Sequence, residues 1–317
     1  MRKPLLLALR PLGLGDLLTG VPALRALREG YAEHRIVLAA PRLLAPLARL
    51  TGAVEEVVAT SPLEPLDEAL HGADVAVNLH GRGPASHRVL LAAGPRRLIA
   101  FENRAVPESR GMPSWRVDEH EVDRWCRMLA EHGIPADPAD LDVDPPAIAA
   151  PAGAHGATLL HPGAASAARR WPLERFAAVA RAERTSGRRV VVTGSAAEAP
   201  LARRLAETAG LADAAVFAGR TNVLELAALV AAAGRVVCGD TGVGHLATAL
   251  GTPSVVLFGP TPPALWGPPP DRARHVALWA GSTGDPHAFE PHSGLLEIGV
   301  PQVLDALARV ERVEAAA

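Results

Sequence analysis

Lysine is all but missing from this chain. Lys3 is the only one among 32 basic residues, so any chemistry that needs a cation must use guanidinium. Cysteine is nearly as scarce: Cys126 and Cys238 stand far apart and without metal-ligand spacing. That excludes a disulfide framework and gives no reason to expect a metal, and it fits free thiols in a reducing cytosol. Aromatic residues make up only 3%. Charge of either sign is also short, with a net value of −2, so no basic field points to nucleic acid as a partner. No uninterrupted apolar run approaches membrane-spanning length. The opening MRKPLLLALRPLGLGD imitates a signal peptide for a few residues, but its apolar run is too short and Arg10 interrupts it. The expected location is the cytoplasm, with at most peripheral contact at the cytoplasmic face of the inner membrane.

What is present is an α/β composition of 317 residues, 49% hydrophobic, a length suited to two domains that each bury a core. Short β-like runs alternate with helix-like runs throughout. Strands are predicted at 5–10, 35–40, 55–59, 74–79 and 97–101, then at 158–161, 189–193, 215–218, 235–238, 254–258 and 275–278. Leu17, Val21, Leu24 and Leu27 recur at helical spacing, as one buried helix face requires. Such alternation implies parallel sheets covered by helices on both faces. Between the halves, DVDPPAIAAPAGAHG is rich in Pro, Ala and Gly and reads as a linker. The predicted domains are 1–145 and 146–317. A last helix at 301–313 could pack on either. Ligands of such sheets sit beyond the carboxyl ends of strands, so the informative residues should follow strands.

Three strand-end turns stand out. In RPLGLGDLLTGVPALRAL, Gly13 and Gly15 permit a sharp turn and Asp16 opens a helix. Asp16 suits a helix cap and equally a carboxylate base directed at a ligand. A dinucleotide fingerprint would need a third Gly where Leu18 stands. In LLHPGAASAARRWPLERF, the small residues Ala164, Ala165 and Ser166 let backbone amides approach a ligand. Arg169 and Arg170 can pair with phosphate oxygens, although a solvated basic loop has the same composition, and Trp171 reads as a core plug. In CGDTGVGHLATALGTPSVVLFGPT, the stretch Thr241, Gly242, Val243 and Gly244 precedes a helix predicted at 245–250. Free amides and the positive helix end converge there, a setting for an anion. His245 could donate to a phosphate or simply be a satisfied helix residue. Asp240 would repel phosphate, and makes better sense accepting hydrogen bonds from a loop amide or a sugar hydroxyl. The triplet DTG also marks aspartic proteases, but those are all-β proteins and the surroundings here are βαβ.

Taken together, the three turns resemble glycosyltransferase family 9, the heptosyltransferases of ADP-heptose. Gly15, Asp16 and Pro22 match a G-D-x-x-x-x-x-P segment, HPGAASAARRWP a middle H-P-G-A…K-x-W-P motif, and residues 240–261 a D-T-G-x-x-H-L-A-x-A-L-G-x-P…F-G-P-T run. The resemblance implies a GT-B fold: two Rossmann-like domains with parallel sheets facing across a cleft, the acceptor held by the first and the nucleotide sugar by the second. It suggests Asp16 as catalytic base, with Asp240, Thr241, Gly242 and His245 around the ADP phosphates and neighbouring sugar. Glu198 falls at the nucleoside ribose and Thr221 near the adenine. The family lysine two places before the Trp is Arg169 here, which can still neutralise a leaving diphosphate but with altered geometry.

The expected reaction is an inverting transfer of a sugar, heptose from ADP-heptose, to a hydroxyl of a lipopolysaccharide-core-like glycan or a natural product, with no cofactor and no metal. Acceptor candidates in the first domain are Gly13, Gly15, His80 and Arg82, with His87 beside them, and His120 and Arg124 further on, although a surface helix explains the last two as readily. The expected state is a monomer whose partners are a nucleotide sugar and a glycan, lipid-linked or small-molecule acceptor. Two rival classes are a GT-B-like nucleotide-sugar epimerase or hydrolase, which would turn over donor without acceptor, and a non-catalytic nucleotide-sugar-binding module.

Overall fold

The computed structural model describes residues 3–316. The chain divides into two compact units, Met1–Leu141 and Asp142–Ala317.

The first unit runs β1 (Leu5–Leu9), α1 (Leu14–Thr19), α2 (Val21–Gly30), β2 (Arg35–Ala40), α3 (Ala45–Leu50), β3 (Glu56–Ala59), β4 (Val75–Asn78), α4 (Ala85–Ala92), β5 (Arg97–Ile99) and α5 (Glu121–Glu131). Its five strands lie in the order β3-β2-β1-β4-β5, all parallel. LLLAL in β1 is buried at every position, as expected when helices cover both faces of a sheet. The apolar stripe from Leu17 to Leu27 predicted one helix face, yet two helices form. The break is at Gly20, whose backbone passes so close to Arg10 that an added Cβ would lie 2.9 Å from Nε. Pro22 then occupies the first turn of α2, where its missing N–H has no consequence.

The second unit runs β6 (Thr158–His161), α6 (Leu173–Thr185), β7 (Val190–Val192), α7 (Ala199–Ala209), α8 (Val223–Ala232), β8 (Arg235–Gly239), α9 (Gly242–Ala249), β9 (Ser254–Phe258), α10 (Pro263–Trp266), β10 (His275–Trp279), α11 (Ser293–Glu297) and α12 (Val300–Ala316). Its order is β10-β9-β8-β6-β7, again all parallel. The strand predicted at 215–218 does not form. A 3-10 turn takes up Asp213–Ala215, and pairing shrinks to a single bridge, Val192 with Val216. The last helix packs on its own unit: Val303, Ala306, Leu307 and Val310 share a core with Phe176, Val255 and Leu257.

In both sheets the strand order reverses at the centre, between β1 and β4 in one and between β6 and β8 in the other. The crevice beyond the carboxyl ends of such a pair is where α/β sheets bind ligands. No helix among the described residues is long and apolar enough to cross a membrane.

Candidate active site

In the first unit β1 delivers Arg10 and then Asp16, while β4 delivers His80. Gly13 caps α1, and its amide donates to Asp16 Oδ2 at 3.1 Å on the exposed side. The carboxylate is therefore a cap and, being only half-buried, is still reachable. Its backbone is held from below. Arg10 is buried, and its guanidinium donates to the Asp16 carbonyl, to the Leu79 carbonyl, to Thr19 Oγ1 at 3.1 Å and to Glu121 Oε1 at 3.2 Å. It also lies 5.0 Å from the Trp125 ring centre.

At the end of β4, buried Asn78 accepts from the His80 amide at 3.0 Å and donates to Ser86 Oγ at 2.9 Å. His87 is not a ligand group: it is fully buried, with Nε2 donating to the Phe101 carbonyl at 2.7 Å. Gly83, at φ +71°, is required above it, since a Cβ there would come within 2.2 Å of His87 Nδ1. Arg82 is exposed. Two other acceptor candidates are committed to structure. His120 caps α5, Nδ1 accepting from the Val122 amide at 3.3 Å. Arg124 is buried, pairs with Glu121, and stacks 4.3 Å from the Trp115 ring centre.

In the second unit the loops after β6, β7 and β8 meet. His161 ends β6 with Nδ1 at 3.0 Å from Thr193 Oγ1, and burial holds its ring below the usual His range. Glu198 Oε2 accepts from the Ser195 amide and hydroxyl, both at 2.8 Å. Burial pulls the Glu198 carboxyl upward, yet the two Ser195 donors, His161 and Arg170 outweigh it and leave the group below its ordinary value. Glu198 Oε1 presses on the Gly163 backbone, where a Cβ would come within 2.1 Å. Any larger residue there would push the Glu198 carboxylate aside.

The Ala164–Ser166 segment is fixed by its neighbours. Arg170 Nε and Nη2 donate to the Ala164 carbonyl at 3.0 and 2.8 Å, and Ser166 Oγ donates to the Ala288 carbonyl at 2.9 Å. Ala165 is exposed between them. Trp171 is the core plug the sequence suggests, its Nε1 donating to the Ile298 carbonyl at 2.9 Å. Thr221 lies just before Asn222, the residue that caps α8.

α9 begins at Gly242, three residues before the predicted start, so Gly242, Val243 and Gly244 form its first turn and Thr241 its cap. No side chain caps those first amides, and helix geometry denies them internal acceptors. Thr241 Oγ1 is buried and meets no oxygen or nitrogen partner. Gly244 lets the helix approach the sheet, with Val256 Cγ2 3.2 Å from an added Cβ. His245 stands edge-on to Trp266 at 5.9 Å. Asp240 is buried, and burial raises its carboxyl to about 6 despite Arg169. Arg169 Nη1 lies 3.9 Å from Asp240 Oδ2 and donates to the Asp240 carbonyl at 3.3 Å.

Sequence reasoning missed Arg10 and Glu121. A signal existed: an arginine closes an otherwise apolar strand, and a buried guanidinium needs a partner. Among the described residues no group of three or more His, Cys, Asp or Glu side chains could hold a metal ion.

A family model described as glycosyltransferase family 9 (heptosyltransferase) matches residues 72–289. The lipopolysaccharide heptosyltransferase 1 of Pseudomonas aeruginosa is 36% identical over 172 residues, covering 53% of this chain and 45% of that protein. The match thus spans less than half the length of that relative. Two solved structures share the fold across both units. One is the E. coli ADP-heptose lipopolysaccharide heptosyltransferase II, at TM-score 0.77 and 21% identity over 98% of this chain and 99% of that one. The other is the E. coli heptosyltransferase WaaC with ADP, at 0.72 and 19% over 98% and 100%. The two-sheet architecture is that of the GT-B fold, and the chain belongs to glycosyltransferase family 9.

Proposed function

We propose that the chain is an inverting glycosyltransferase that moves a heptose from ADP-heptose to a hydroxyl of an anionic glycan acceptor of the lipopolysaccharide-core kind. The observation that carries this reading is chemical division of labour at the two strand-order reversals. One holds a reachable carboxylate, Asp16, and the other gathers uncapped helix amides at Gly242–Gly244, Arg169 and the ionised Glu198. The donor is the one named for the E. coli neighbour.

Asp16 takes the proton of the acceptor hydroxyl as that oxygen bonds to the anomeric carbon. The bond from that carbon to the diphosphate breaks on the opposite face, which inverts the centre. Charge grows on the leaving ADP, and the α9 amides and Arg169 meet it there, where the transition state differs most from the bound donor. Glu198, ionised and held by Ser195, accepts from ribose hydroxyls in this reading. Arg42, Arg82, Arg104 and Arg110 follow β2, β4 and β5, are exposed, and have no ion-pair partner among the described residues. Such a rim suits a phosphate or carboxylate on the acceptor.

Calorimetric titration with ADP, UDP, GDP and dTDP tests the donor. ADP should bind tightest, and Glu198→Ala should weaken it. Preference for UDP would contradict the ADP-heptose assignment.

A further inference from the structure

His80 and Asp16 come from neighbouring strands. Leu9 pairs with Asn78, and the Leu79 amide donates to the Leu9 carbonyl at 3.1 Å. Arg10 closes the remaining gap: one guanidinium binds both the Asp16 carbonyl and the carbonyl of Leu79, the residue before His80. Asn78 pins the His80 amide from the other side, and its own side chain is held by Ser86 and by the Gly81 carbonyl at 3.2 Å. The two backbones are thus fixed to each other through buried side chains. The imidazole Nδ1 is buried without a hydrogen-bond partner, while the ring as a whole is only half-buried, so another edge of it stays open to a hydroxyl.

We propose that His80 is a second acceptor-binding residue, which hydrogen-bonds a hydroxyl next to the one that Asp16 deprotonates, and that Arg10 is the positioning residue holding the pair together. The proposal rests on the reading of Asp16 as base. The charges facing the ring are Arg10 and Asp16. Burial first, and Arg10 next, keep the ring below the ordinary His range, against the upward pull of Asp16. At neutral pH the ring is uncharged, so one nitrogen accepts and the other donates. Neutrality suits the task, because a cation there would pair with Asp16 and make it a weaker base.

The test uses the whole chain. With isotope-labelled histidines and His80 assigned through His80→Gln, Asp16→Asn should lower the His80 titration midpoint, because it removes the charge that raises it. An unchanged midpoint overturns the pairing. With ADP-heptose as donor and heptose-deficient lipopolysaccharide as acceptor, His80→Ala should raise the acceptor KM about 5- to 10-fold and leave ADP affinity unchanged. His80→Gln, which keeps a donor and an acceptor, should recover part of that loss. An acceptor KM unmoved by His80→Ala, or an ADP affinity that falls with it, overturns the proposal. A wild-type chain inactive on this acceptor contradicts the proposed function instead, and the titration alone then decides the pairing.

Discussion

Asp240 carries a stability cost that depends on pH. Its carboxyl is raised to about 6 by burial, so between the unfolded value near 3.8 and about 6 the native state holds the extra proton. The group's contribution to stability is therefore complete below 3.8 and is lost as pH rises through 6. Asp240→Asn removes that loss. At pH 7.5 the variant should be more stable by up to about 3 kcal/mol, the gain should vanish toward pH 4, and sugar transfer should fall. Denaturant unfolding at the two pH values checks it. Gly163→Ala should act oppositely: the new methyl displaces Glu198 and should weaken ADP binding about 10-fold, a loss of roughly one hydrogen bond to a charged group. The sequence exposed Asp16 and Asp240 because each stands beside glycines in a turn between an apolar strand and a helix. It hid the Arg10–Glu121 pair, whose partners are 111 residues apart.

Elements were legible where burial is two-sided. Runs such as LLLAL and SVVLF, short, wholly apolar and bounded by turn residues, form the covered strands they predict. What escaped was decided by contacts rather than by local pattern. Gly20 splits a continuous stripe because Arg10 fills the space beside it. The start of α9 escaped because glycine propensity argues against a helix that packing against Val256 allows. The α5 helix is tied to β1 through Glu121, which serves Arg10, Arg124 and, at 2.7 Å, Trp125 Nε1. Glu121→Ala would leave two buried guanidiniums without their anion. The variant should lose about 3–5 kcal/mol of stability, read by denaturant unfolding, and turnover should fall because the guanidinium that binds the Asp16 carbonyl loses its buried counter-charge.

Across the whole molecule the net charge is near zero, and exposed arginines stand among exposed carboxylates such as Glu102 and Glu108. The first unit's strand-end rim carries exposed arginines after β2, β4 and β5. If they bind an anionic acceptor, its KM should rise with salt, since exposed charges are screened within about 10 Å at 0.1 M. If helix amides and partly buried groups hold ADP-heptose as proposed, its KM should change far less. An acceptor KM indifferent to salt would remove the rim from the account. The reading as a whole stands on Asp16 taking the proton while the second unit holds the donor, and one measurement reaches it directly. ADP release from ADP-heptose in the presence of acceptor is compared for the wild-type chain and Asp16→Asn, with ADP affinity determined for both. The expected result is turnover lowered by at least about 100-fold with ADP affinity unchanged. Transfer at the parental rate by Asp16→Asn would contradict it.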